Sequence, residues 1–104
     1  MTQITSSEKY AIVNILSQIM KADGIIHPKE EEYMDKIYGE LGITINDLED
    51  AANVDDLQAK FIIDEMNAEN REYARSLFIG MAKCDGYVHP NELAIINEIC
   101  KYGG

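Results

Sequence analysis

Lys21-Ala-Asp-Gly-Ile-Ile-His-Pro-Lys-Glu30 decides the fold, because it occurs twice. The second copy is Lys83-Cys-Asp-Gly-Tyr-Val-His-Pro-Asn-Glu92, offset by 62 residues, with six of ten positions identical. The match continues outward as a pattern of apolar positions. Ile12, Ile15, Leu16 and Ile19 correspond to Ala74, Leu77, Phe78 and Met81, and Met34 and Ile37 correspond to Ile96 and Ile99. A register held over this length marks a duplicated supersecondary unit.

Each unit is expected to be helix, tight turn, helix. Ile12, Ile15, Leu16 and Ile19 recur at i, i+3, i+4 and i+7, the spacing of one helical face. Thr5-Ser-Ser-Glu8 has the form of a capping box and predicts a helix start near Ser6. Asn67 or Asn70 fits the equivalent start of the second unit. Gly24 and Gly86 suit the left-handed C′ position that ends a helix. Pro28 and Pro90 suit the first position of the next helix, where no N–H is needed. The returning helices take their apolar stripes from Met34, Ile37, Tyr38 and Leu41, ended by Gly42, and from Leu93, Ile96, Ile99 and Cys100. Between the units, Ile45 to Ala52 predicts a short helix. Asp55-Asp-Leu-Gln58 predicts a second capping box, leading into Phe61, Ile62, Glu65 and Met66. No segment alternates like a strand. The expected fold is all-α: a compact bundle of five to seven helices, a single domain over 1–104, with two helical hairpins related by a pseudo-twofold axis.

Charge narrows the functional classes. The chain of 104 residues carries 9 Lys+Arg against 19 Asp+Glu, a net charge of −10. Such a chain is repelled by phosphate backbones and anionic lipid, which argues against nucleic acid and membrane as partners. No apolar stretch approaches the ~18 residues of a membrane span. The N-terminus lacks the pattern of a signal peptide, and the expected compartment is cytoplasmic. Cys84 and Cys100 are expected as buried thiols. From Lys29 to Glu65, three bases face twelve acids, a net −9. That segment is either a solvated helical face or an acidic surface that docks another protein.

Asp23 and Asp85 fall at the C-terminal ends of helices, where the macrodipole already places partial negative charge. Three roles are open to them. The first is architectural. Each Asp forms an Asx turn, Lys21 and Lys83 supply nearby positive charge, and Glu30 and Glu92 reach back from N3 to cap their helices. The second is a metal site. Asp23 to Glu30 and Asp85 to Glu92 match positions five to twelve of a calcium-binding EF-hand loop. Positions one and three would be Ile19 and Lys21, or Met81 and Lys83, which cannot ligate calcium, so an EF-hand proper is rejected. An oxygen site pooling Asp23, Glu30, Asp85 and Glu92 stays open if the two turns converge. The third is a transition-metal site using His27 and His89, a weaker candidate, since a His before Pro is commonly an N-cap or surface residue.

Lys-Ala-Asp-Gly, with a branched apolar residue two positions on and Glu seven after the Asp, resembles the tellurite-resistance TerB-like family. Lys21 to Glu30 is the better copy and Lys83 to Glu92 the second, and the resemblance covers essentially the whole chain. It implies a TerB-type helical bundle, association with tellurite resistance and stress response, and a non-enzymatic component that acts by binding, with divalent metal ions (calcium, magnesium, manganese or zinc) as candidate ligands. Carried over by position, the acidic residues of interest are Asp23, Glu30, Asp85 and Glu92. Two departures stand out: Cys84 where the first copy has Ala22, and the His-Pro that follows each turn.

An enzyme is hard to build from these residues. Cys84 and His89 straddle the second turn, but Cys84 falls on the apolar face, where packing explains it. Paired carboxylates need a cleft and separated environments, which the sequence does not define. Met34, Met66 and Met81 fall in core patterns. Tyr33, Tyr87 and Tyr102 are expected to be partly exposed, which would favour an interface.

Overall fold

The computed structural model describes residues 4–22, 24, 27–84, 90 and 94–97. Among the described residues, five helices run in order: α1 (Ser6–Lys21), α2 (Pro28–Leu41), α3 (Ile45–Ala52), α4 (Asp56–Glu65) and α5 (Ala68–Lys83). Helical backbone recurs at Pro90 and 94–97. Among the described residues there is no strand, and the fold is all-α as expected.

The repeat holds residue for residue in its first arms. Both α1 and α5 are 16 residues long, and both their ends are offset by 62. Their caps occupy matching positions. Thr5 accepts from the Glu8 N–H at 3.2 Å while Glu8 Oε1 accepts from the Thr5 N–H at 2.9 Å, the expected capping box. Asn67, not Asn70, caps α5, its Oδ1 accepting from the Asn70 N–H at 2.8 Å. Ile4 and Met66, one residue before each cap, are both buried. The apolar quartets are also buried as pairs: Ile12, Ile15, Leu16 and Ile19 in α1, and Ala74, Leu77, Phe78 and Met81 in α5. Met34 and its repeat partner Ile96 are buried as well.

The α1 helix is the hub. Ala11 and Val13 widen its buried face beyond the Ile12–Ile19 stripe, so it contacts each of the other four helices. Its broadest contact is with α4 rather than with its hairpin partner α2. Small residues on both helices, Ala11 and Ala59, are fully buried, and small side chains allow helix axes to approach closely. Each fully buried Ile, Leu or Phe contributes about 1.5–3 kcal/mol by leaving water.

The α2 helix follows the expected rules. His27 is its N-cap, Pro28 its first residue, and Met34, Ile37 and Leu41 its buried stripe. Gly42 ends it in the left-handed conformation, φ 68°. Tyr33 lies across the α2–α5 contact and donates its hydroxyl to the Leu77 carbonyl at 3.1 Å. Gly80 makes room for it, because a Cβ there would lie 2.8 Å from Tyr33 Cζ and closer still to the hydroxyl. Two further tyrosines tie helices together through carboxylates. Tyr10 on α1 donates to Asp47 on α3 at 3.0 Å, and Tyr73 on α5 donates to Glu40 on α2 at 2.6 Å.

Three local expectations change. Asp55 caps α4 through the Leu57 N–H at 3.0 Å, and Gln58 is exposed rather than closing a capping box. The α4 stripe is rotated. Ala59, Ile63 and Met66 are buried, while Phe61 and Glu65 are exposed. The close contact with α1 selects the small-residue face of α4 over the face with the larger side chains. Gly24 does adopt positive φ, 80°, but two residues past the Ala22 cap rather than one, with its N–H donating to the Lys21 carbonyl at 3.0 Å. Gly86, Leu93, Ile99 and Cys100 lie outside the described residues. Cys84 is half-buried, and its thiol lies 3.2 Å from the Met81 carbonyl.

Candidate functional site

The first turn of the repeat is described at Ala22, Gly24 and His27 onward. His27 takes extended dihedrals, φ −85° and ψ 146°, and caps α2. Glu30, at N3, sends Oε1 back to accept from the His27 N–H at 3.0 Å. The motif carboxylate thus performs the capping role that its spacing predicts. Its burial was not predicted: Glu30 is 1% exposed and, with Asn70, is one of two polar residues buried among the described residues. A buried carboxylate is costly unless its oxygens are answered by donors or by a cation. The side chain of His27 is half-buried, and Lys21 is exposed.

Asp23, Asp85, Glu92 and His89 lie outside the described residues, so only Glu30 and His27 of the six candidate ligands are placed. Among the described residues, no group of three or more His, Cys, Asp or Glu is arranged to hold a metal ion.

The acidic surface is described in full. Of its twelve carboxylates, Glu31, Glu32, Asp35, Glu40, Glu49, Asp50, Asp55, Asp56 and Glu65 are exposed, Asp47 and Asp64 are half-buried, and Glu30 is buried. The Asp47 carboxyl is held below its ordinary range, chiefly by the Thr44 backbone N–H and then by the Tyr10 hydroxyl. Burial, followed by the hydrogen bond to Glu40, pushes the Tyr73 phenol up to about 12. Burial also raises Tyr33, which is partly exposed as expected while its hydroxyl is engaged by the Leu77 carbonyl of α5. Tyr87 and Tyr102 lie outside the described residues. Within this surface three large apolar side chains face solvent: Ile45 at 76% exposure, Leu57 at 73% and Phe61 at 65%. In the sequence Ile45 reads as a helix start, Leu57 as part of the Asp55–Gln58 cap, and Phe61 as part of the pattern that follows it. The available signal was the i, i+4 spacing of Leu57 and Phe61, which competes with Ala59 and Ile63.

These features define a class: an all-α bundle whose first and fifth helices are copies in matched register, each followed in sequence by Asp-Gly. The profile of the family described as tellurite resistance protein TerB matches residues 1–53, just over half of the chain, and the chain belongs to that family. A search of curated proteins returned no match. Among solved structures, the chain is similar to a protein of unknown function from Porphyromonas gingivalis. The two share 26% sequence identity and superpose with a TM-score of 0.80, covering 100% of this chain and 87% of the other. No described helix is long and apolar enough to cross a membrane.

Proposed function

We propose that the chain is a non-catalytic binding domain whose duplicated turns carry a divalent cation, in a process related to tellurite resistance or stress response. The observation that carries this reading is Glu30. The repeat's own carboxylate is brought to 1% exposure directly after the turn, and its copy is Glu92. Asp23, Glu30, Asp85 and Glu92 are the proposed oxygen ligands, with His27 and His89 as weaker members. A carboxylate set of this kind suits hard cations such as calcium, magnesium and manganese better than zinc. The cation would offset the negative charge gathered at two helix C-termini.

The test is calorimetric titration of each cation into chelator-treated protein. Saturable binding is expected, weakened in both Asp23→Asn and Asp85→Asn. Titrations without binding heat, or binding indifferent to both substitutions, would refute the site.

A second reading has its own support. In it the turns are architecture, and the cytoplasmic chain acts by docking a basic partner on its acidic surface. The observation favouring it is the exposed apolar trio Ile45, Leu57 and Phe61 set within nine exposed carboxylates. Salt-sensitive association that responds to neutralising Glu31 and Glu32, or Asp55 and Asp56, and ignores Asp85→Asn supports this reading. Association that is insensitive to salt and to those charges would count against it.

A further inference from the structure

The α4 helix turns an unusual face outward. Leu57 and Phe61 are one turn apart, at i and i+4, and both are exposed. Asp64 follows at i+7 on the same face. Together with Lys60 they line a groove of about 280 Å³. Asp64 supplies a second, independent feature. Its backbone carbonyl accepts from Arg71 Nη1 at 3.1 Å, and both its side-chain Oδ1 and Arg71 Nε are buried without a hydrogen-bond partner. The groove therefore combines two uncovered apolar side chains with a half-buried carboxylate at its edge. Exposed apolar patches rimmed by charge mark interaction sites.

Charge selects the occupant. The groove lies in the segment that carries −9 of the chain's −10, and Asp56 and Glu65 are exposed on the same helix. A second copy of this chain would bring another ten negative charges to an acidic face, and an anionic bilayer is repelled for the same reason. We propose that the Leu57–Phe61–Asp64 groove docks a peptide segment of another protein, one that sets an apolar side chain next to a Lys or Arg. The apolar side chain covers Phe61 and Leu57, and the cation is drawn to the Asp64 carboxylate at the edge of the groove. This inference rests on the docking reading and names the site of contact.

The experiment is selection of a random-peptide display library on the intact chain, followed by fluorescence anisotropy with the enriched peptides. Enriched sequences are expected to pair an apolar residue with Lys or Arg within one turn of a helix. Phe61→Ala and Leu57→Ala, both at exposed positions, are expected to weaken binding about tenfold each, the scale of an interface anchor. Asp64→Asn is expected to weaken it too and to flatten its salt dependence. Circular dichroism verifies that each variant keeps its fold. Peptides that depend on Glu31 and Glu32 but not on Phe61 would overturn the groove and leave the docking reading standing. A library that yields no Phe61-dependent peptide would also overturn it. So would a Phe61-dependent dimer in ultracentrifugation, or Phe61-dependent binding to phosphatidylserine vesicles, each of which names a different occupant.

Discussion

Replacing Gly80 by Ala tests how α2 and α5 are joined. In an open helix the change would help, since Ala is favoured over Gly by about 0.8–1.0 kcal/mol. Here the new methyl would lie 2.8 Å from Tyr33 Cζ and nearer still to its hydroxyl. The ring is rigid, so relief requires the whole side chain to swing out. That movement breaks the bond to the Leu77 carbonyl, about 0.5–1.5 kcal/mol, and exposes part of a half-buried ring. Overpacking of this kind costs about 1–3 kcal/mol, and after the helix-propensity gain the net loss is about 0–2 kcal/mol. Gly39→Ala is the control, because a Cβ there meets nothing within 4 Å, and it should stabilise by about 0.4–1 kcal/mol. The assay is urea unfolding followed by circular dichroism. Tyr33→Phe removes the nearest atom, so the double variant should recover part of the Gly80→Ala loss. A Gly80→Ala protein as stable as Gly39→Ala, or a loss unchanged in the double variant, would refute the packing argument.

Other consequences follow from burial, capping and ionisation. Leu16→Ala, at a fully buried hub position, should cost about 2–5 kcal/mol in the same unfolding assay. Thr5→Ala and Asn67→Ala remove matching caps and should each cost about 1 kcal/mol, while a position outside the caps such as Ser7→Ala should cost far less. Tyr73 should titrate at about 12 by its phenolate absorbance, and Glu40→Gln should lower that value. Since the folded value is raised, the stability linked to Tyr73 is full below its unfolded pKa of about 10 and is lost as pH rises from there through the folded value.

The parts of the fold that were legible in sequence are those where local and tertiary signals agree. For α1, the capping box, the i, i+3, i+4, i+7 spacing and the Asp-Gly turn all point the same way, and the duplication carries the assignment to α5. The α4 helix was legible as a helix but not in its orientation. It has two candidate faces, Leu57 with Phe61 and Ala59 with Ile63, and side-chain size favours the first. The close approach of α1 decides for the second, and a contact with a helix about forty residues upstream leaves no local trace in sequence. Glu30 divides in the same way. Its capping bond is a three-residue local interaction and could be read from spacing. Its burial depends on which elements pack over α2 and could not. Asn70 was an alternative cap in sequence. The structure makes it the buried residue that Asn67 caps.

The claim that the duplicated turns hold a cation is tested most directly by thermal unfolding of chelator-treated protein. Calcium, magnesium, manganese and zinc are added in turn, with Asp85→Asn run alongside. An ion at about 100 times its dissociation constant stabilises by about 2.7 kcal/mol, which raises the melting temperature by roughly 10 °C or more in a domain of this size. A rise of that order with a hard cation, lost in Asp85→Asn, is the expected result. Melting curves that coincide with and without every cation would contradict it and leave the Asp-Gly turns as architecture.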